Sequence, residues 1–337
     1  ITEYRYRGAS PKNYVTFNNE VWRILGVFPT DDGTGKIENR IKIIKDQSIG
    51  NNYWNTTQVA STSTYNNWTG ATLMKYLNGT YYNSLINSNS IDMVDDAKYY
   101  LGGYTNTNMT KDVMYQYERK ISGSGTYYYS TNPNSWTGDL ALMYVSDYGY
   151  AGLNCENRKL YGVNNDTDII SVCNSTNWLY DFQDQEWLLN QWGSSQFILF
   201  QKYDVGLIHN AHTTNKFAVR PTLYLKPNVQ IMDGDGTSSN PYVFALDGKV
   251  VLPTIDEFSV VYAGYEFKVT QGTYPIESYC TLDNDSNIDN CNWVSKVSSC
   301  ATEKGKSTNI FYLFVKDKKG NIVSKSYETY IGMVDIC

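Results

Sequence analysis

His209 and His212 are the two histidines of the sequence, and they stand three residues apart, a spacing that a metal site can use. They lie in a stretch without helical periodicity, and no nearby Glu completes a ligand set, so surface recognition is the role expected of both. Asp147 beside Ser146 invites a catalytic reading, but the Tyr148-Gly149 that follows makes the pair ordinary turn chemistry, and a turn is expected there. Asp233, Asp235 and Asn240 carry oxygens suited to Ca²⁺, yet their spacing misses the D-x-[DN]-x-[DN]-G loop that a Glu closes. Two short strands around a Gly/Asp/Ser turn account for that loop, so neither a metal nor another cofactor is expected. No G-x-S-x-G occurs, and no Gly-rich phosphate loop follows a strand. Enzyme chemistry is therefore not expected; a hydrolase would need two convergent carboxylates or a bound metal.

The composition of a binding face appears between Asn190 and Lys216. Trp192, Phe197, Phe200, Tyr203, His209 and His212 are scattered there among Asn, Gln, Ser and Thr, with no sustained period of 2 or 3.6. The aromatic residues and histidines are expected as rigid contacts, and Asn190, Gln191, Gln196, Gln201, Asn210 and Asn215 as adaptable hydrogen-bonding partners. Leu199 and one of the two phenylalanines are expected in the core instead. Trp178, Leu179 and Trp187 on one side, and Ala218-Val-Arg-Pro-Thr-Leu-Tyr-Leu-Lys226 on the other, read as the framework. Arg220 lies inside that apolar run, where an unpaired guanidinium would cost several kcal/mol. Backbone carbonyls or a carboxylate from Asp181, Asp184 or Glu186 are expected to meet it.

These segments belong to a chain of 337 residues, long enough for about two domains. Its 31 tyrosines and 8 tryptophans, against 18% charged residues, exceed what one core requires, so many tyrosines are expected at the surface. A net charge of −6 with dispersed Lys and Arg excludes nucleic acid and anionic membrane as expected partners. No run of about 18 apolar residues occurs, so the chain as given is expected neither to span nor to insert into a membrane. Cys155, Cys173, Cys280, Cys291, Cys300 and Cys337 show no CxxC pair and no Cys/His ligand spacing. An even number at short separations is disulfide chemistry and implies an oxidising, external location. Six cysteines permit about 15 pairings; the nearest-neighbour one, Cys155 with Cys173, Cys280 with Cys291 and Cys300 with Cys337, is the expectation.

In chain order, Tyr14 to Phe28 reads as a β-hairpin turning at Asn18-Asn19, with a third strand at Arg40 to Lys45 and Trp22 as core anchor. Leu73, Tyr76 and Leu77 share a helical face, so a short helix is expected from Ala71 to Leu77, ended by Asn78-Gly79. Another is expected from Val113 to Lys120. Trp54, Trp68 and Trp136 read as core residues. From Trp136 the text is that of a strand running into a tight turn. Beyond Val250-Val-Leu-Pro253 six short strands are expected: 257–262, 265–270, 278–282, 291–294, 309–316 and 321–330, with Trp293 in their core.

Three separated motifs agree in order with a known group. Tyr14-Val-Thr-Phe-Asn-Asn-Glu-Val-Trp-Arg-Ile-Leu-Gly-Val-Phe28, Ala141-Leu-Met-Tyr-Val-Ser-Asp-Tyr-Gly-Tyr150 and Val219-Arg-Pro-Thr-Leu-Tyr-Leu-Lys-Pro-Asn228 resemble surface proteins of Gram-positive, gut-type bacteria. The resemblance covers roughly residues 4 to 245 and implies an α+β C-type-lectin-like (formylglycine-generating-enzyme-like) fold with few short helices. In that fold a Val-Arg-Pro-x-Leu strand closes a ligand-bearing segment. It lends no enzyme activity, because no reactive cysteine lies between Cys173 and Cys280. In several such proteins a diversity-generating retroelement rewrites Asn-rich codons, and Asn190 to Lys216 looks like such a variable region. A type IV pilin-like N-terminal helix often precedes the module; here it is absent and expected to have been removed or omitted, so membrane association is expected only through such an anchor. Residues 252 to 337, with Phe314-Val-Lys-Asp-Lys-Lys-Gly-Asn-Ile322, resemble bacterial Ig-like repeats, an all-β sandwich used as a stalk. The implied organisation is a ligand-presenting domain over 1–247 and an Ig-like domain over 248–337. The implied function is an extracellular adhesin or receptor-binding protein at the bacterial cell surface, its partner a host or bacterial surface protein or glycan. The alternative is a self-associating, pilin-like subunit of a surface filament.

Overall fold

The computed structural model describes residues 2–56, 66–85, 90–103, 109–119, 132–161, 167–180, 184–192, 197–202, 206–261, 264–297 and 308–330; of residues 167–170, 197, 200–202, 261, 308 and 330 it describes the backbone alone. It is mostly β-sheet with a few short helices.

The chain opens with β1 (Tyr4–Arg5), β2 (Tyr14–Phe17), β3 (Glu20–Asp31), β4 (Ile37–Lys45) and β5 (Asn51–Tyr53). The β2–β3 hairpin forms where expected. Asn18 and Asn19 adopt φ of 53° and 58°, the mirror-image turn whose twist matches the strands it joins, and Phe17 faces Glu20 across it. Trp22 is fully buried. Gly26 lies where β1 crosses β3, and a Cβ there would overlap the Tyr4 carbonyl, so glycine is required.

The helix expected from Ala71 begins as α1 (Thr72–Tyr76) but does not end at Asn78-Gly79. A π turn (Leu77–Tyr81) carries it into α2 (Tyr82–Leu85). Asn78 bridges rather than caps: its amide nitrogen donates to the Met74 and Leu140 carbonyls (3.1 and 2.9 Å), and its oxygen accepts from the Leu140 amide (2.9 Å). Next come β6 (Ala97–Tyr100), α3 (Lys111–Arg119), β7 (Ser135–Gly138) and β8 (Leu140–Ala141). α3 matches the expected helix to within two residues at its start.

The strand and turn expected after Trp136 are instead β7, β8 and a helix, α4 (Val145–Ala151). Asp147 is buried within α4. Its Oδ2 accepts from the Tyr144 amide (3.1 Å) and Lys42 Nζ (2.6 Å), and its Oδ1 from Arg5 Nη1 (2.8 Å). Ser, Asp and Gly locally favour a turn, but the N-terminal hydrogen bond and two buried cations favour the helix.

The chain continues as α5 (Thr167–Ser175), β9 (Glu186–Gln191), β10 (Phe197–Lys202), β11 (Leu207–His212), β12 (Lys216–Ala218) and β13 (Thr222–Tyr224). β14 (Val229–Asp233) and β15 (Tyr242–Leu246) then flank the Asp/Gly turn as expected. Two sheets organise these strands. One has the order β14-β15-β2-β3-β4-β13-β8, with β1 on β3; the other has the order β11-β10-β9-β12-β5. β13, the expected closing strand, sits between β4 and β8 with Leu223 facing Ile43 and Leu140. Its three residues are buried, as a strand covered on both faces must be. A chain of indoles fills the core: Trp187 to Trp54 (6.0 Å between rings), Trp54 to Trp68 (5.2 Å) and Trp68 to Trp136 (5.9 Å).

Beyond Pro253, β16 (Thr254–Val261) pairs with β17 (Gly264–Thr270), and β18 (Ile276–Asp283), β19 (Thr308–Asp317) and β20 (Ile322–Tyr330) form a three-stranded meander. Their buried residues, Phe258, Val260, Phe311, Leu313 and Val315, make a cluster separate from the one that runs from Val15 to Phe244. The strand expected at 291–294 is absent. Ile288–Asn290 form a 3₁₀ turn, and Val294 makes a single bridge to Tyr279. Trp293 is only half-buried and lies under the Lys316 ammonium (4.4 Å) rather than in the core, because the turn next to Cys291 turns it outward. Disulfides join Cys155 to Cys173 and Cys280 to Cys291, as nearest-neighbour pairing predicts. Cys300 and Cys337 lie outside the described residues. Such bonds belong to an oxidising compartment. Among the described residues, no helix is long and apolar enough to cross a membrane.

Candidate ligand-binding face

The segment expected to bear ligand contacts folds into β9, β10 and β11. All six β9 residues are buried, because the strand lies between β10 and β12 under the indole chain. Asn190 and Gln191, expected as ligand contacts, are therefore inside. The Asn190 oxygen accepts from the Val145 amide (2.8 Å), and its nitrogen donates to the Gly102 carbonyl (2.9 Å). Gln191 donates to the Leu101 carbonyl and accepts from Asn132, both at 2.8 Å. Buried amides must be partnered, and these partners are the protein's own, so both residues are framework. Asn132 also donates to Asn66 (2.7 Å), which donates to the Trp192 carbonyl (3.0 Å). The amide network thus fixes the backbone from which the Trp192 indole projects.

Trp192 is half-buried and stacks on Tyr161, with ring centres 4.4 Å apart and planes 17° from parallel. The Tyr161 hydroxyl donates to Asn210 Oδ1 (2.9 Å), and the His209 ring lies 6.1 Å from the Tyr161 ring. Burial raises the Tyr161 pKa, so the phenol keeps the proton it donates. Further along, His212 and Asn215 are exposed, with the Asn215 amide closing a turn onto the His212 carbonyl (2.9 Å). Trp192, His209 and Asn210 thus meet around Tyr161, and His212 and Asn215 follow at the end of the edge strand β11. In the β10–β11 pairing Phe197 stands opposite His212 and Phe200 opposite His209. The side chains of Phe197, Phe200 and Gln201, and all of Gln196 and Tyr203, lie outside the described residues. Leu199 is fully buried, as expected.

Sequence reasoning missed Tyr161. It sits in the loop bracketed by Cys155 and Cys173 with no periodic neighbours, and long-range contacts, a bridge to Ile208 and the hydrogen bond to Asn210, bring it to β11. Its one sequence signal is that bracket, which places the loop beside the segment from Asn190 to Lys216. The same loop supplies Arg158, whose Nη2 donates to the Gly206 carbonyl (2.7 Å) and to Asn174 Oδ1 (2.8 Å). The Tyr148 hydroxyl donates to the same Gly206 carbonyl (2.8 Å). Gly206, at φ 61°, is the entrance to β11, so disulfide loop, α4 and β11 are tied at one carbonyl.

No metal set accompanies this margin: among the described residues no group of three or more His, Cys, Asp or Glu is gathered as an ion would require. At the Asp/Gly loop Asp233 pairs with Lys319 Nζ (2.8 Å), and Asp235 accepts from the Thr237 amide and hydroxyl (3.0 and 2.7 Å). No family model matches the chain, and neither a curated protein nor a solved structure matches it.

Proposed function

We propose that this chain is an extracellular binding protein of a bacterial surface, an adhesin or receptor-binding subunit. Its C-type-lectin-like part, over 1–247, presents the Trp192 margin to a protein or glycan, and an Ig-like part, over 248–337, acts as its stalk. The observation that carries the proposal is the half-buried Trp192–Tyr161 stack, flanked by His209 and Asn210 and braced by buried amides. A stacked indole and phenol offer flat apolar area at little entropic cost, and polar neighbours supply direction, which is the design of recognition surfaces. Under the retroelement reading, the diversified positions are those that project from this margin, while Asn190, Gln191 and Leu199 belong to the constant framework.

The test is a screen of the purified chain against arrays of glycans and bacterial and host surface proteins, with Trp192→Ala and His212→Ala alongside. A ligand lost at least tenfold by Trp192→Ala, in a protein that melts like the parent, supports the proposal. A ligand that binds both variants as it binds the parent overturns it. Light scattering and electron microscopy separate the alternative, since a pilin-like subunit would give an ordered polymer from the chain alone.

A further inference from the structure

A cavity of about 210 Å³ shares no residue with the Trp192 margin. Glu3, Tyr100, Tyr115, Arg119, Tyr144 and Tyr224 line its polar side, and Phe28, Pro29 and Ile37 its apolar side. Its acceptors are engaged. Glu3 Oε1 accepts from the Tyr115 hydroxyl (2.5 Å) and Oε2 from Arg5 Nε and Nη2 (3.1 and 2.9 Å). Asp31, also in the wall, accepts from Lys98 (3.1 Å) and from the Gly33 and Gly35 amides (2.8 and 3.0 Å).

The donors are not all engaged. Arg119 directs Nη1 to Glu118 (2.8 Å) and to the Tyr115 carbonyl (3.5 Å), while its Nε and Nη2 have no partner among the described residues. Its guanidinium is held over the Tyr115 ring (3.8 Å) and near the Tyr144 ring (5.1 Å), so the fork is fixed in place. The Tyr144 hydroxyl accepts from the Tyr100 amide (2.7 Å) and retains its own proton to donate. The Tyr224 hydroxyl has no partner among the described residues. Burial raises both phenols well above 10, so they remain donors throughout the ordinary pH range.

We propose that this cavity binds the carboxylate of a small ring-bearing acid, with the Arg119 fork and the Tyr144 and Tyr224 hydroxyls on its oxygens and Phe28, Pro29 and Ile37 against its ring. A planar carboxylate matches a guanidinium fork. A monoanion suits one unengaged fork among otherwise paired charges, and the cavity exceeds what an inorganic ion would fill. The acid could be a sugar acid or an aromatic acid.

Calorimetry and saturation-transfer NMR on the full chain at pH 7 test this, using D-glucuronate, N-acetylneuraminate and benzoate, each with its uncharged amide, and inorganic phosphate. The expected result is that at least one acid binds and its amide binds about tenfold more weakly. Glucuronate or N-acetylneuraminate binding would identify a sugar acid, and benzoate binding an aromatic one. Tyr224→Phe, which removes only an oxygen, should weaken the acid about tenfold while the melt is unchanged, and Arg119→Lys, which loses the fork, should weaken it at least as much. The proposal is overturned if no acid binds, if acid and amide bind equally, if phosphate alone binds, or if both variants bind like the parent.

Discussion

Arg220 grips Glu186 with two parallel hydrogen bonds, Nε to Oε1 at 2.8 Å and Nη2 to Oε2 at 2.6 Å, and both residues are buried. Nη2 also reaches the Leu179 carbonyl (3.2 Å). Glu186 begins β9 and pairs with Ala218 at the end of β12, so this ion pair clamps together the two ends of the segment that carries β9 to β12. A lysine would keep the charge and lose the fork. Arg220→Lys should therefore destabilise the protein by about 1–3 kcal/mol, and Arg220→Met, which takes this counter-charge from the buried Glu186, by about 3–5 kcal/mol. Thermal melts check both. A Lys variant that melts like the parent but no longer binds ligand would show Arg220 to be a contact and not scaffold.

The Lys42–Asp147 pair makes an acid-side prediction. Burial alone would raise the Asp147 carboxyl, but Lys42 at 2.6 Å and Arg5 at 2.8 Å override it and hold it well below the usual carboxylate range. The folded pKa is thus below the unfolded one. The stability it contributes is present above the unfolded pKa, near 3.8, and is lost as pH falls beneath it. Asp147→Asn should cost about 3–5 kcal/mol at pH 7, since the buried Lys42 loses its counter-charge and Arg5 keeps only Glu3, and should flatten the acid limb of the melting profile. An unchanged acid limb would count against the pair.

The framework was legible in the sequence because its signals are local. Asn18-Asn19 demands a left-handed turn, the β-rich run to Lys226 demands partners, and an arginine in that run demands a carboxylate. Of the three acids the sequence offered, Asp184 is exposed and Asp181 lies outside the described residues; Glu186 is a partner. The candidate face was legible only in part. Asn190 and Gln191 have the composition of contacts, but their fate is set by β9 lying mid-sheet, a long-range pairing that composition does not encode. For the same reason Asp147 read as a turn, since its cations come from β1 and β4, more than a hundred residues upstream. Tyr161 was missed because stacking on Trp192 leaves no trace in either residue's neighbourhood.

Glu118 gives the opposite pH slope. Burial pushes its carboxyl up to about 7, against the pull of Arg119 and of the Ser146 amide and hydroxyl. Because the folded pKa lies above the unfolded value of 4.5, the stability linked to this group is fully present below 4.5 and is lost as pH rises through 7. Glu118→Gln cannot titrate. Relative to the parent its melting temperature should rise between pH 5 and pH 8, by a stability difference on the order of 3 kcal/mol. A difference that stays constant with pH would rule out the raised carboxyl.

Gly206 couples the scaffold to the face. At φ 61° it adopts the left-handed region, and a Cβ there would fall inside the Asn174 side-chain amide, which itself accepts from Arg158. The Gly206 carbonyl receives both Arg158 and Tyr148, so a shift at this residue moves the start of β11 and with it His209 and Asn210. Gly206→Ala should cost about 1 kcal/mol for the backbone and more for the overlap with Asn174. Asn174→Ala removes the second contribution. In that background Gly206→Ala should cost only the backbone part, and the melts of the four proteins form a double-mutant cycle whose coupling should be about 1 kcal/mol or larger. The emission that each protein loses on Trp192→Phe isolates Trp192 among the eight tryptophans: Gly206→Ala should change this difference through displacement of β11 and Tyr161, and the double variant should recover most of the parent value. Additive costs, with no coupling between the two positions, would mean that β11 is held by something other than this junction.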